Sequence, residues 1–180
     1  MQTIQPVRIE DVDDPTRRLL ETANARYRDV STMLTTMAQS PATLEGYLYF
    51  VRALEDTGFD PRLSEQIALI VAQADKCDYS LTLHIARVRD LGLEEDEIMA
   101  TREGRVANKK TEAALRFARS LAQREGDYTV TDLQRAGYSD GDIVNIIACV
   151  GLNSFANLFN MIAKTDIDVV HKQGAGVKAA

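Results

Sequence analysis

Disulfides cannot hold this chain together. Cys77 and Cys149 are its only cysteines, too few for a framework of bridges. In a reducing compartment each is either a small hydrophobe or a reactive thiol. Positive charge is also short: 21 Lys and Arg stand against 27 Asp and Glu, a net charge of −6, which argues against a nucleic-acid surface. No run of about 18 or more apolar residues occurs, so no transmembrane helix and no membrane partner are expected. The N-terminus, MQTIQPVRIEDVDDP, lacks the basic start and apolar core of a signal peptide, and the expected location is the cytoplasm. His84 and His171 with the two cysteines show no standard metal-ligand spacing. No glycine-rich phosphate loop follows a strand. Neither a metal nor a cofactor is expected.

What is present is an ordinary globular composition, 45% apolar and 27% charged with four prolines, long enough for one domain with a substantial core. No stretch alternates with period two for long enough to be a strand. Helix-period stripes recur from end to end, so the fold class is all-α, and short inter-helix loops favour antiparallel neighbours in a bundle. Residues 1–14 read as an extended arm, 15–170 as the helical domain and 171–180 as a flexible tail. Asp14-Pro15 opens a helix with Leu19, Leu20, Ala23 and Tyr27, cap then first-turn proline. Val30, Met33, Leu34 and Met37 mark a second. Ser40-Pro41 opens a third, with Leu44, Tyr47, Leu48, Val51 and Leu54, stopped by Gly58. A fourth carries Leu63, Ile67, Ile70, Val71 and Ala74. Helices then follow from Cys77 to Gly92, in the acidic segment 94–103, over 109–124, over 131–136 and over 140–164. The last and longest has the stripe Ile143, Ile146, Ile147, Val150, Phe155, Leu158 and Ile162.

Chemistry-bearing residues gather in 63–91. Cys77, Ser80 and His84 stand at i, i+3 and i+7, on one helix face, which Leu81, Ile85 and Val88 extend inward. Glu65 precedes Cys77 by twelve positions, in the preceding apolar segment. Thiol, hydroxyl, imidazole and carboxylate are therefore candidates to share one half-buried pocket. Cys77 opens its helix, where the dipole would favour a thiolate; a buried core cysteine reads equally well. His84 reads as a proton relay or as a satisfied core histidine. Glu65 is either a solvent-exposed first-turn residue or an inward one, whose pKa burial would raise. Ser80 is a structural hydroxyl or a donor to Cys77. A Ser80-His84-Glu65 hydrolase set is formally available, but no Gly-x-Ser-x-Gly elbow exposes the hydroxyl. Cys149 is expected to pack in the long helix, and His171 to lie exposed in the tail.

At these residues the chain resembles the carboxymuconolactone decarboxylase family, in particular its alkylhydroperoxidase AhpD-like branch. The branch pattern Glu-x11-Cys-x2-Cys-x3-His reads here as Glu65, Cys77, Ser80 and His84, every interval kept and the second cysteine replaced by serine. AQADKCDYSLTLH, GLEEDEI and NSFANLFNMIAKTDIDV resemble the flanking segments, and the likeness spans about residues 30–170. It implies a helical homo-oligomer, commonly a trimer or hexamer. It also implies a thiol-dependent peroxidase or disulfide reductase that acts on a small peroxide and is served by an external thiol or thioredoxin-like reductant. In the branch the cysteine at the Ser80 position attacks the peroxide, the one matching Cys77 resolves the sulfenic acid, and histidine and glutamate relay protons. Tyr79, at a position often held by histidine, supports the pocket or the relay. A hydroxyl is less acidic and less nucleophilic than a thiol and forms no disulfide. Three accounts of Ser80 stand: a serine substituted into a two-cysteine enzyme, a one-cysteine enzyme using Cys77, or a fold that has lost redox activity. A non-redox lyase on a small carboxylated lactone, with His84 and Glu65 as acid and base, and a purely structural oligomer are the other classes.

Overall fold

The computed structural model describes residues 2–27, 31–126 and 129–168, with backbone alone at 26 and 27. Among the described residues there are helices and no strand: α1 (Asp14–Tyr27), α2 (Thr32–Met37), α3 (Pro41–Asp56), α4 (Pro61–Asp75), α5 (Asp78–Asp90), α6 (Glu95–Glu103), α7 (Lys109–Gln123), α8 (Thr131–Arg135) and α9 (Asp140–Ala163). Val30, the Tyr27 side chain, His171 and the tail 171–180 lie outside the described residues.

Local chemistry sets the boundaries. Pro41 and Pro61 occupy first turns, where a missing amide hydrogen costs no helical bond. Ser139 and Asp142 form a reciprocal capping box that starts α9. At α1 the cap is Asp13, which accepts the Thr16 amide at 3.0 Å, one position earlier than Asp14. The segment before α1 is less extended than expected. It contains a 3-10 turn at Ile9–Asp11. It is also pinned: the Thr3 amide donates to Ala163 O at 2.8 Å, the Val7 amide to Thr35 O at 3.1 Å, and Gln2 Nε2 to Thr36 Oγ1 at 2.7 Å.

α4 is the axis of the domain. Leu63, Ile67, Ala68, Leu69, Ile70, Val71 and Ala72 are all buried, as is Gln66, whose amide donates to Thr101 Oγ1 at 3.0 Å. A helix apolar on nearly every side must be surrounded, and α5, α6, α7 and α9 pack around it. The main core joins α4 to α7, α8 and α9 through Ile67, Ile70, Leu115, Leu133 and Ile146. A second cluster gathers Leu20, Met33, Met37 and Leu44 with Cys77 and Tyr79.

Two stripes divide on folding. In α5, Leu81, Ile85 and Val88 do not share the face of Ser80 and His84; they pack with Leu69, Leu93 and Ile98 on the α6 side. In α9, Ile143, Ile146 and Val150 enter the core, whereas Val144, Ile147, Phe155, Leu158 and Ile162 form an exposed apolar flank, with Ile162 at 65%. α9 is long and apolar enough to cross a membrane by length and composition. In this fold α3, α4, α5 and α7 pack on it.

The link between α4 and α5 places the chemistry. Lys76 adopts the left-handed conformation, φ 57°, and the Cys77 amide reaches back to Ala72 O at 3.1 Å, a Schellman-type closure normally made by glycine. The chain reverses within Lys76 and Cys77. Glu65 lies about three turns before this reversal and His84 about two turns after it, so the two side chains meet between adjacent helices.

Candidate active site

A cavity of about 910 Å³ opens between α3, α4, α5 and α9. α3 contributes Tyr47, Leu48 and Val51; α4 contributes Ser64 and Glu65; α5 contributes Ser80, His84 and Arg87; α9 contributes Cys149 and Asn153. Volumes of this order accommodate organic molecules of metabolite size.

Glu65 points inward and is partly buried. Its Oε2 accepts from Nδ1 of His84 at 2.7 Å, and its Oε1 accepts from Nη1 of Arg87 at 3.2 Å. The apolar surroundings predict a raised pKa, and the structure corrects this. Burial does act in that direction and is the largest single influence, but the His84 and Arg87 charges and hydrogen bonds together outweigh it and hold the carboxyl at about 2. Glu65 is therefore an anion at neutral pH and does not itself trade protons. It fixes a hydrogen on Nδ1 of His84, so in the neutral ring the free lone pair is on Nε2. His84 is 6% exposed and lines the cavity.

Cys77 and Ser80 meet as the spacing predicts. Cys77 Sγ donates to Ser80 Oγ at 3.5 Å, and both residues are buried. They differ in access: Ser80 lines the cavity and Cys77 does not. Cys77 occupies the N-cap position of α5, and its carbonyl accepts the Leu81 amide at 2.9 Å. The expected pocket shared by four groups is thus lined by three of them, with the sulfur in contact behind the hydroxyl.

Tyr79 also lines the cavity. Its phenol donates to Asp168 Oδ1 at 3.3 Å, while Asp168 Oδ2 accepts from the Thr32 hydroxyl at 2.6 Å. Burial pushes the phenol above its usual range. The segment after α9 is in this way tied to α2 and to the residue preceding Ser80.

Three participants carried weaker signals. Arg87 sits one turn beyond His84, at i+3, and arginine near a helix C-terminus reads by default as a dipole partner facing water. Cys149 does pack in α9, as expected, but its sulfur also faces the cavity, 3.6 Å from both Ser64 Oγ and Asn153 Nδ2. Burial pushes that thiol up to about 11, so it stays protonated at neutral pH. Asp168 lies beyond the last periodic segment, where no stripe marked it. Among the described residues no group of three His, Cys, Asp or Glu side chains is placed to hold a metal ion.

The carboxymuconolactone decarboxylase family model matches residues 38–124, the segment that supplies Glu65, Cys77, Ser80 and His84. The chain's fold is that of three solved structures. The debrominase Bmp8, in complex with 2,3,4-tribromopyrrole, is 18% identical over 94% of this chain and 93% of its own, with a TM-score of 0.79. A peroxidase-related protein from Silicibacter sp. TM1040 is 18% identical over 93% and 94%, also at 0.79. The alkylhydroperoxidase AhpD core of a peroxidase-related protein from Ralstonia eutropha JMP134 is 17% identical over 94% and 95%, again at 0.79. The likeness to the carboxymuconolactone decarboxylase family model covers a little under half of the chain, the part that holds α3 to α7. At these identities the likeness to the solved structures is one of fold. No curated protein matches the chain.

The depressed Glu65 carboxyl sets a pH window for stability. A folded pKa of about 2 against an ordinary 4.5 contributes stability that is complete above pH 4.5 and lost as pH falls through 2. Glu65→Gln removes this contribution, on the order of 3 kcal/mol. Denaturant midpoints measured from pH 6 to pH 2 should fall more steeply in the parent chain than in the variant; parallel curves would contradict the assignment.

Proposed function

We propose that the chain is an AhpD-like thiol-dependent oxidoreductase that reduces an organic peroxide. Cys77 is the redox sulfur, Ser80 stands at the partner-thiol position, and His84, anchored by Glu65, exchanges the proton. The observation that carries this reading is the contact of Cys77 Sγ with Ser80 Oγ beside an imidazole held by an ionised carboxylate, all within two turns of α5 and its neighbour α4. In the proposed cycle the Cys77 thiol gives up its proton to His84 by way of the Ser80 hydroxyl, the sulfur takes the distal peroxide oxygen with its hydrogen and becomes a sulfenic acid, the O–O bond breaks, and His84 delivers that proton to the departing alkoxide. With hydroxyl rather than thiol at position 80, no internal disulfide forms. Two equivalents of an external thiol return the sulfenic acid to the thiol and release water and an external disulfide. The cavity volume favours an organic peroxide, since hydrogen peroxide needs far less room.

A second reading has one observation in its favour: Ser80, His84 and Glu65 line the cavity and Cys77 does not. It makes the chain a non-redox acid–base enzyme, a lyase of the decarboxylase type, with His84 as the exchanging group. Against it, Arg87 is engaged by Glu65 and Arg89 by Glu95, so a carboxylated lactone meets cations that are already neutralised.

Treatment with a stoichiometric organic hydroperoxide followed by dimedone should label Cys77 and spare Cys149. Equal slow labelling of both would reject the redox reading. Turnover that survives Cys77→Ala would establish the acid–base one. Ser80→Cys should restore a disulfide between position 80 and Cys77, seen as a loss of two hydrogens by intact mass under mild oxidant. A variant that stays fully reduced would show that the two side chains cannot reach disulfide geometry.

Assembly belongs to the same reading. The exposed flank of α9, with Val144, Ile147, Leu158 and Ile162, supports a homo-oligomer, a trimer or hexamer, in which a second copy covers it. Sedimentation should show a discrete oligomer for the parent chain and a monomer for Leu158→Glu; a monomeric parent would refute it.

A further inference from the structure

A buried carboxylate is held strongly by an imidazole only while that imidazole carries its second proton. Once the ring is neutral, the ion pair is reduced to a hydrogen bond from a neutral donor to the carboxylate, and less of the cost of desolvating the anion is met from that side. Glu65 has a second partner that does not titrate. Nδ1 of His84 donates to Oε2 at 2.7 Å, and Nη1 of Arg87 donates to the other oxygen, Oε1, at 3.2 Å. The two donors stand at i and i+3 on α5, neighbours on one helix surface. A guanidinium keeps its charge at any pH a folded protein meets, so its hold on Glu65 is the same before and after His84 gives up a proton.

We infer that Arg87 is a positioning residue for the proton exchange proposed above, on which this inference rests: it keeps Glu65 an anion in both protonation states of His84 and confines the exchange to Nε2. Without that cation, a neutral ring would face a desolvated carboxylate. Glu65 would take up a proton from solvent and donate it to Nδ1, and the ring's single hydrogen would sit on Nε2.

The surrounding groups leave this task to Arg87. From α9, Cys149 faces Glu65 as a protonated thiol and brings no charge. Glu55 of α3 and Asp90 of α5 line the same cavity and are themselves acids. Arg89 is taken by Glu95. From α6, Arg102 donates to Gln73 and Glu97 pairs with Arg62. Among the described residues the hydrogen-bond partners of Glu65 are His84 and Arg87.

NMR of the full chain tests this directly. His171→Gln leaves His84 as the single imidazole, so its ring nitrogens report the tautomer by ¹⁵N shift. A ¹³C titration, assigned with Glu65→Gln, reports the Glu65 carboxyl. The parent should carry its neutral-ring hydrogen on Nδ1 and keep Glu65 ionised down to about pH 2. In Arg87→Met the Glu65 midpoint should rise by at least ~1 unit and the Nδ1–H population should fall. Arg87→Lys should restore most of both. Equal spectra for Arg87→Met and Arg87→Lys, or no movement in either, would overturn the inference. So would an Nε2–H tautomer in the parent, a result that needs no Arg87 variant to fold. Spectra as expected beside an inert Cys77 would remove the redox reading and leave the role of Arg87 standing.

Discussion

A carboxylate drawn largely out of water in a cavity wall is the most demanding feature of this fold, and much of the local architecture serves it. Taking Glu65 out of water disfavours its charged form more than any single neighbour favours it. The charge survives because two donors from one helix take one oxygen each. That requires α4 and α5 to lie side by side with their faces in register. The left-handed turn at Lys76 and the Cys77 amide reaching back to Ala72 bring this about. It also requires α4 to be immobile, which its burial beneath α5, α6, α7 and α9 secures. The same short reversal delivers Cys77 to the N-cap of α5, so the position of the sulfur and the anchoring of the imidazole follow from one piece of backbone.

That coupling sorts the roles of the polar groups. An anion held near pKa 2 is an orienting group, not an acid, and the ring it orients is that of His84. Ser80 stands between the cavity and the sulfur: it lines the cavity, and its hydroxyl accepts from Cys77. Cys149, on the opposite wall, has a hydroxyl and an amide for company, yet its thiol is pushed up to about 11. Two thiols near one cavity therefore have different prospects. Burial next to a carboxylate keeps Cys149 a neutral packing group, whereas Cys77 caps a helix and touches the Ser80 hydroxyl.

Local periodicity makes part of this legible from the residues alone. Helix spacing places Cys77, Ser80 and His84 together because i, i+3 and i+7 coincide on any α-helix. The resemblance to the family adds Glu65, which periodicity leaves undecided, since whether a first-turn glutamate turns inward depends on the neighbouring helix. The direction of its pKa shift is illegible for the same reason: apolar surroundings suggest burial, but nothing in the spacing places Arg87 opposite it. α9 shows the limit from the other side. Ile143 and Ile147 are equally apolar and one turn apart, yet one is core and the other surface. A helix apolar around most of its circumference has no polar face to mark which side is buried.

A fold retained at 17–18% identity constrains chemistry less than it constrains the path of the chain. The packing of α4 against α5 fixes where a carboxylate, an imidazole and two small polar side chains stand. What then happens depends on which of those atoms a ligand can reach. Here a hydroxyl, not a thiol, lines the cavity at position 80, so a ligand in that space meets Ser80 and His84 before it meets Cys77. Redox chemistry at Cys77 must proceed past Ser80, and acid–base chemistry need not. The distance that matters is the 3.5 Å between Sγ and Oγ. It puts the two side chains in direct contact, so whatever occupies the cavity beside Ser80 stands one side chain away from the sulfur.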